Sequence, residues 1–454
     1  MNVLNFPNKF KQIELSPIQF LAMSFILVII IGTLLLSMPA ASATGHSIGG
    51  VDAFFTATSA VCVTGLVVAD TGMDFTTFGQ VVILILIQIG GLGLMSVSTM
   101  IFLLLGKKIT LKERLIIQQS LNESYLGGIV RLTRDIFIVT LIIEAVGALM
   151  LSLRFIPIFG WEKGVYYSIF HSVSAFCNAG FDLMGHYSSL INFAGDYLIN
   201  ITIMCLIIMG GIGFSVILDI KTHRMQVRAW YLHTKIVVLT TLILVFIGFV
   251  SILFAEYNNE LTLGLRPVDE KIMTAMFQSV SARTAGMNSI DIGGLTDVSK
   301  FMLVILMFIG ASPGSTGGGI KTTTFALILL TAISVIRGRE DINVFKRRIP
   351  HSLAARALAI SLISLLALAL VTIALSMLEA VPFIDVLFQA ASALGTVGLS
   401  TMDTGGMNNV SKILISLTMF MGRVGPLTLT LAFVRRQSRG EKRLRYPQEK
   451  IMLG

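Results

Sequence analysis

A short string occurs four times along the 454-residue chain: SAVCVTGL (Ser59 to Leu66), SAFCNAGF (Ser174 to Phe181), SARTAGM (Ser281 to Met287) and SALGTVGL (Ser392 to Leu399). Each opens on Ser-Ala and closes on Gly followed by Leu, Phe or Met; the third is one residue shorter. The closing glycines, Gly65, Gly180, Gly286 and Gly398, are 115, 106 and 112 residues apart. Self-similarity at a fixed period means one unit repeated four times, and the fold has to give the four strings equivalent surroundings.

Those surroundings are apolar. Hydrophobic residues make up 54% of the chain and charged residues only 13%, where a soluble domain carries about 25% charged residues. That excess excludes a disordered chain, a collagen-like fibre and a disulfide-stapled secreted domain. Eight segments read as membrane spans, at about 20–38, 78–105, 135–156, 197–218, 234–255, 300–336, 357–378 and 411–434. The first lacks a convincing cleavage site and is expected to be retained. Just before each string lies a stretch of two to three helical turns, too short to cross about 30 Å of hydrocarbon.

The expected fold class is therefore all-α integral membrane. It has four repeats of transmembrane helix, pore half-helix, filter loop and transmembrane helix around a central pore. The expected segments are a tail at 1–19, repeat 1 at 20–105, a linker at 106–134, repeat 2 at 135–218 and a linker at 219–233. Repeat 3 follows at 234–336 with an intramembrane loop at 310–322, then a linker at 337–355, repeat 4 at 356–434 and a basic tail at 435–454.

The tails and inter-unit linkers hold 25 of the 34 Lys and Arg residues, against 6 on the opposite face. The positive-inside rule places both termini in the cytoplasm and the half-helices and their loops on the outer side. Acidic residues show the opposite bias. An acidic outer face concentrates cations, although it is also the plain complement of a basic inner one. Basic blocks between apolar runs are a topology signal, so no nucleic-acid binding is expected. Cys62, Cys177 and Cys205 form no CxxC and promise no metal site or required disulfide. No nucleophile elbow, HExxH or dinucleotide fingerprint occurs, and an enzyme is not expected.

Non-helical backbone at membrane depth is tolerated where it lines protein or a water-filled cavity. Four such loops on one axis can turn backbone carbonyls toward a dehydrated cation. The filter candidates are Val61, Cys62, Val63, Thr64 and Gly65; Phe176, Cys177, Asn178, Ala179 and Gly180; Ala282, Arg283, Thr284, Ala285 and Gly286; and Leu394, Gly395, Thr396, Val397 and Gly398. No acid lies within any of the four strings, which points to a monovalent cation rather than a divalent metal. Arg283 is the one charge within them. Its side chain is expected behind the loop, toward Glu270 or the half-helix's terminal carbonyls, with a pore-lining arginine as the alternative. Asp70, Asp291 and Asp403 each follow a closing glycine by five residues and either support the outer side of the loop or are simply solvated.

A second repeat follows within each unit: GGLG (Gly90 to Gly93), GGIG (Gly210 to Gly213), GASPG (Gly310 to Gly314) and GRVGP (Gly422 to Pro426). In the sixth segment it expands into Gly310, Ala311, Ser312, Pro313, Gly314, Ser315, Thr316, Gly317, Gly318, Gly319, Ile320 and Lys321. Proline and five glycines break a helix there. The composition suits a movable gate below the filter. The string departs from the phosphate-loop pattern by one residue and sits in a membrane span, so it is not read as a nucleotide site. Arg423 occupies the matching place in unit 4. It either bonds gate-loop carbonyls, sets an electrostatic barrier, or pairs with Glu144 or Asp219. Lys321 could snorkel to the cytoplasmic interface.

These residues resemble the Trk/Ktr/HKT potassium transporter family, closest to the bacterial KtrB-type membrane subunit, from about Phe20 to Arg436. The resemblance identifies the four strings with the family's filter signatures, Gly310 to Lys321 with its gating loop, and Arg423 with the arginine that contacts that loop. It further implies a homodimer with one pore per subunit in the bacterial cell membrane. A separate cytoplasmic RCK-type nucleotide-binding ring would open the gate. K+ would be the permeant ion and Na+ an activator or co-ion, with no organic cofactor in this chain. The basic tail is read as a contact for that ring or for anionic membrane lipids. A coupled sodium/potassium symporter and a non-conducting structural or sensory subunit are the alternatives.

Overall fold

The computed structural model describes residues 17–93, 96, 129–224 and 226–425. The basic tail, most of the linker at 106–134 and the distal parts of the second and eighth expected spans lie outside the described residues.

Each unit opens on a long apolar helix: α1 (Pro17–Leu36), α4 (Ile129–Phe159), α8 (Leu232–Glu256) and α12 (His351–Leu378). Among the described residues these four are long and apolar enough to cross a membrane unaided. Next come the half-helices α2 (Gly50–Cys62), α5 (Trp161–Phe176), α9 (Val268–Ser281) and α13 (Phe383–Gly395). Each ends at its string. The second helices are α3 (Thr77–Leu92), α6 (Tyr197–Gly211), α10 (Asp297–Phe308) and α14 (Asn409–Val424). Two more helices, α7 (Phe214–His223) and α11 (Thr322–Ile336), continue the second and third units. A two-stranded antiparallel hairpin, β1 (Ile342–Val344) with β2 (Arg347–Ile349), links α11 to α12.

The second helices share one register. Each starts on a capping side chain: Thr76, Asp196, Thr296 and Asn408 accept from the backbone N–H of Gly79, Ile199, Ser299 and Val410. Fourteen residues beyond each cap stands a glycine: Gly90, Gly210, Gly310 and Gly422. There the expectation of uninterrupted spans at 78–105, 197–218 and 411–434 fails. α3 stops at Leu92, α6 turns by 98° into α7, and α14 stops at Val424. Gly93, Gly213 and Gly425 follow with φ of 80°, 99° and 94°, a conformation that side-chain-bearing residues rarely adopt. All four second helices therefore break at one level, not the third alone.

The units close on each other near the N-termini of the second helices. Lys412 of α14 bonds Asp52 of α2 at 2.7 Å, and Lys300 of α10 bonds Asp385 of α13 at 2.8 Å. At the matching position of α3, Gln80 accepts from the Tyr166 hydroxyl of α5 at 3.1 Å. Tyr197, which opens α6, donates to Asp269 of α9 at 2.6 Å. Each second helix is thus tied to the half-helix of the next unit, and the fourth to the first.

Candidate functional site: a ring of four glycine loops above a broken helix

The strings turn sharply out of their half-helices. Val63, Asn178, Thr284 and Thr396, each two residues before a closing glycine, have φ of 57°, 58°, 76° and 50°. Three of them are β-branched, for which positive φ is a true outlier and costs about 1–3 kcal/mol. The glycines that follow have φ of 87°, 73°, 77° and 99°.

The opening serine of each string holds this backbone in place. Thr64, Ala179 and Val397 donate their N–H to the carbonyls of Ser59, Ser174 and Ser392, each at 2.8 Å. The Ser59 and Ser392 hydroxyls accept from the N–H of Gly65 and Gly398, each at 3.1 Å. Ser174 donates its hydroxyl to the Phe181 carbonyl at 2.6 Å, and Ser281 donates to that of Met287. In the shorter third string, Ala285 donates to the Ser281 carbonyl at 2.9 Å. The repeated Ser-Ala was visible in the sequence, but the serines were not singled out as site residues.

The four closing glycines form a closed ring. A Cβ on Gly65 would stand 2.5 Å from the Ala179 carbonyl oxygen, and one on Gly180 would stand 2.8 Å from that of Ala285. On Gly286 it would collide with the Val397 carbonyl, and on Gly398 with that of Thr64. Each unit's glycine therefore faces the carbonyl just before the next unit's glycine. Outside this ring lies a cavity of about 510 Å³, lined by all four glycines and by Asp70, Asp182, Asp291 and Asp403. Asp70 accepts from the N–H of Gly72, Met73 and Tyr187 at 2.8–3.0 Å, which is the supporting role open to it. Asp291 and Asp403 each accept from one local N–H. Burial, with the Asp70 carboxylate close by, pushes Asp182 up to about 6.

Below the ring, the glycines of the second helices make room for the strings. A Cβ on Gly90, Gly210 or Gly422 would collide with the carbonyl of Val61, Phe176 or Leu394. In unit 3 the matching segment leaves the helix altogether and runs under its neighbours. Ser312 and Thr316 donate N–H to the carbonyls of Gly211 and Gly210 at 3.0 and 3.2 Å, and the Thr316 hydroxyl donates to Phe176 at 3.2 Å. Gly317 packs on the Thr284 side chain and Gly318 on that of Thr396, with no space for a Cβ. The loop thus meets strings two, three and four. Arg423 supplies the tie to unit 1, donating to the carbonyls of Thr316, Gly90 and Gly91.

Three charged side chains have the following contacts. Arg423 bonds carbonyls and does not pair with Glu144 or Asp219; Asp219 binds His223 at 2.7 Å. The Lys321 ammonium donates to the Gly317 carbonyl at 2.8 Å, within the loop itself. Arg283 is buried, and Glu270 faces Arg266 at 3.7 Å. The Arg283 guanidinium instead points to the Gly310 carbonyl at 3.5 Å, where the intramembrane loop begins.

The TrkH family, described as cation transport protein, matches residues 7–442. The chain belongs to the TrkH cation transport family. It is 41% identical over 444 residues to the Ktr system potassium uptake protein B of Bacillus subtilis, covering 98% of each chain. It is 38% identical over 445 residues to the potassium/sodium uptake protein NtpJ of Enterococcus hirae, covering 97% of this chain and 98% of that one. The crystal structure of the potassium transporter TrkH from Vibrio parahaemolyticus superimposes with a TM-score of 0.72 over 93% of this chain and 86% of that one. At 18% identity that likeness establishes the shared all-α fold. The chain is thus a membrane-embedded member of a transport family, not of an enzyme family.

Proposed function

We propose that this chain is the potassium-conducting membrane subunit of a bacterial uptake system. The observation that carries the reading is the ring of four positive-φ glycines, each against the next unit's carbonyl, at the floor of an acid-lined cavity. Carbonyl dipoles without an acid at the ring suit a dehydrated monovalent cation. Full-length similarity to two potassium uptake proteins supports K+ as that ion. Residues 310–321, pinned under three strings, are the gate, and Arg423 and Lys321 hold it shut.

Sodium stimulation belongs to the same reading, as does Na+ as activator or co-ion, and the potassium/sodium name of one relative supports both. The word "system" in the other relative's name supports a partner component. We assign that role to a cytoplasmic RCK-type ring acting on a homodimer whose termini both face the cytoplasm. The repeat boundaries given above, with anionic lipid at the basic tail, complete the proposal.

The test is rubidium-tracer uptake by the purified chain in liposomes, competed with potassium, sodium, lithium and calcium. Block by potassium but not by lithium or calcium is expected. Gly286→Ser, which forces a side chain into the Val397 carbonyl at a φ of 77°, is expected to weaken that selectivity. No uptake by folded protein with its regulatory ring and nucleotide supplied would sink the conducting reading. Low, saturable uptake that requires sodium in fixed ratio would favour the symporter.

A further inference from the structure

Glu144 is a buried acid in the middle of α4, 6% exposed, and among the described residues no Lys or Arg pairs with it. An ionisable side chain at membrane depth is costly and requires a reason. Its own contacts give one. One carboxyl oxygen accepts from the Gln88 carboxamide of α3 at 3.2 Å, and the other accepts from the Cys177 thiol at 3.9 Å. The Cys177 sulfur is also 3.6 Å from the Gln88 oxygen. Three polar groups from three elements therefore close on one another behind the second filter string.

The surrounding backbone is cleared for this contact. A Cβ on Gly91 of α3 would stand 2.6 Å from the Cys177 sulfur, and one on Gly147 of α4 would stand 2.6 Å from the Ser172 hydroxyl. That hydroxyl donates to the Glu144 carbonyl at 2.7 Å. The repeat supplies an internal control. In unit 3, Ser279 makes the matching bond to the carbonyl of Val245, and Gly248 stands three residues on, as Gly147 does from Glu144. In unit 1, Gly32 packs on Ala57, and the residue three before it is Ile29. Packing of first helix on half-helix is thus satisfied by Val or Ile, and the acid in unit 2 serves something else.

What it touches is the filter. Cys177 immediately precedes Asn178, the left-handed residue of its string at φ 58°. The Asn178 carboxamide in turn lies 3.1 Å from the Thr284 hydroxyl of the third string. We propose that Glu144 is a positioning residue for ion selectivity: its carboxyl, through Cys177 and Gln88, fixes where the second string turns and so where its carbonyls face the ion. This inference rests on the conducting reading above.

The experiment is rubidium uptake by the full chain in liposomes, with apparent KM, maximal rate and sodium competition measured separately. Glu144→Leu is expected to raise KM about tenfold, equivalent to about 1.4 kcal/mol, and to let sodium compete. Glu144→Gln, which keeps a carbonyl acceptor, is expected to stay within about twofold of the parent. Monodisperse elution and an unchanged thermal midpoint separate this from misfolding. Where the leucine variant does not fold, Gln88→Leu, which removes the other partner of the carboxyl, carries the same expectation. A folded Glu144→Leu protein with parental KM and selectivity overturns the inference, as does Glu144→Gln failing as badly as leucine. A parent that does not conduct at all overturns the conducting reading first, so the two failures are told apart.

Discussion

Asp182 sits two residues beyond the second closing glycine, in the loop that lines the cavity above the ring. Burial first, and then the Asp70 carboxylate, raise its carboxyl to about 6. The sign follows directly: below that pH the folded protein holds Asp182 neutral, and above it the cavity gains a negative charge. An added negative charge on the wall of this cavity raises the local concentration of cations. Uptake at subsaturating rubidium is therefore expected to rise severalfold between external pH 5 and 7, and Asp182→Asn to flatten the rise. An unchanged profile in that variant would place the titration elsewhere. At this scale the glycines and Arg423 were legible in the sequence, because four copies mark a position even when a single copy is unremarkable. Asp182 was not legible. No acid stands at the matching place after the other three strings, and its partial burial arises from tertiary packing.

A helix that stops inside a membrane leaves its last carbonyls needing partners. Here the filter strings and the intramembrane loop crowd the breaks, which is why each break has a glycine at the same register. Gly210→Ala forces a Cβ into the Phe176 carbonyl and is expected to cost about 1–3 kcal/mol, read as a lower thermal midpoint in detergent together with weakened selectivity. Gly50→Ala, where nothing lies within 4 Å, is the matched control and is expected to be neutral. Equal effects at the two sites would remove the register argument. The four second helices also show how far hydropathy reads. It located all four, because they are apolar, but treated three as continuous. A run such as IMGGIGF is equally apolar whether it continues or bends by 98°. What distinguishes the cases is the carbonyl waiting on the far side of Gly210, and that is non-local. The same limit hid Lys300 and Lys412. Each is bonded to an acid of the next unit, a pairing that spacing along the chain does not show.

Lys412 returns unit 4 to unit 1, and the loop at 310–321 touches several units. Its contacts are unequal. Units 2, 3 and 4 hold it through backbone bonds and glycine packing, whereas unit 1 reaches it through Arg423 alone among the described contacts. A charge-assisted hydrogen bond contributes about 1.5–3 kcal/mol, and here one guanidinium spans both sides. Releasing it detaches the loop from unit 1 while the filter strings keep their own serine staples. Arg423→Gln is therefore expected to raise rubidium uptake by about tenfold or more without any regulatory partner, with potassium selectivity retained. Lys321→Met, which removes one bond within the loop itself, is expected to do the same to a smaller degree. If Arg423→Gln leaves uptake at the parental level while the protein stays folded, the loop is not held shut from unit 1. If selectivity is lost along with the barrier, the loop supports the filter and does not merely lie beneath it. Measuring flux and selectivity in one preparation separates these outcomes, because the closing glycines face the carbonyls of the neighbouring strings, whereas the loop touches the Phe176 carbonyl and the side chains of Thr284 and Thr396.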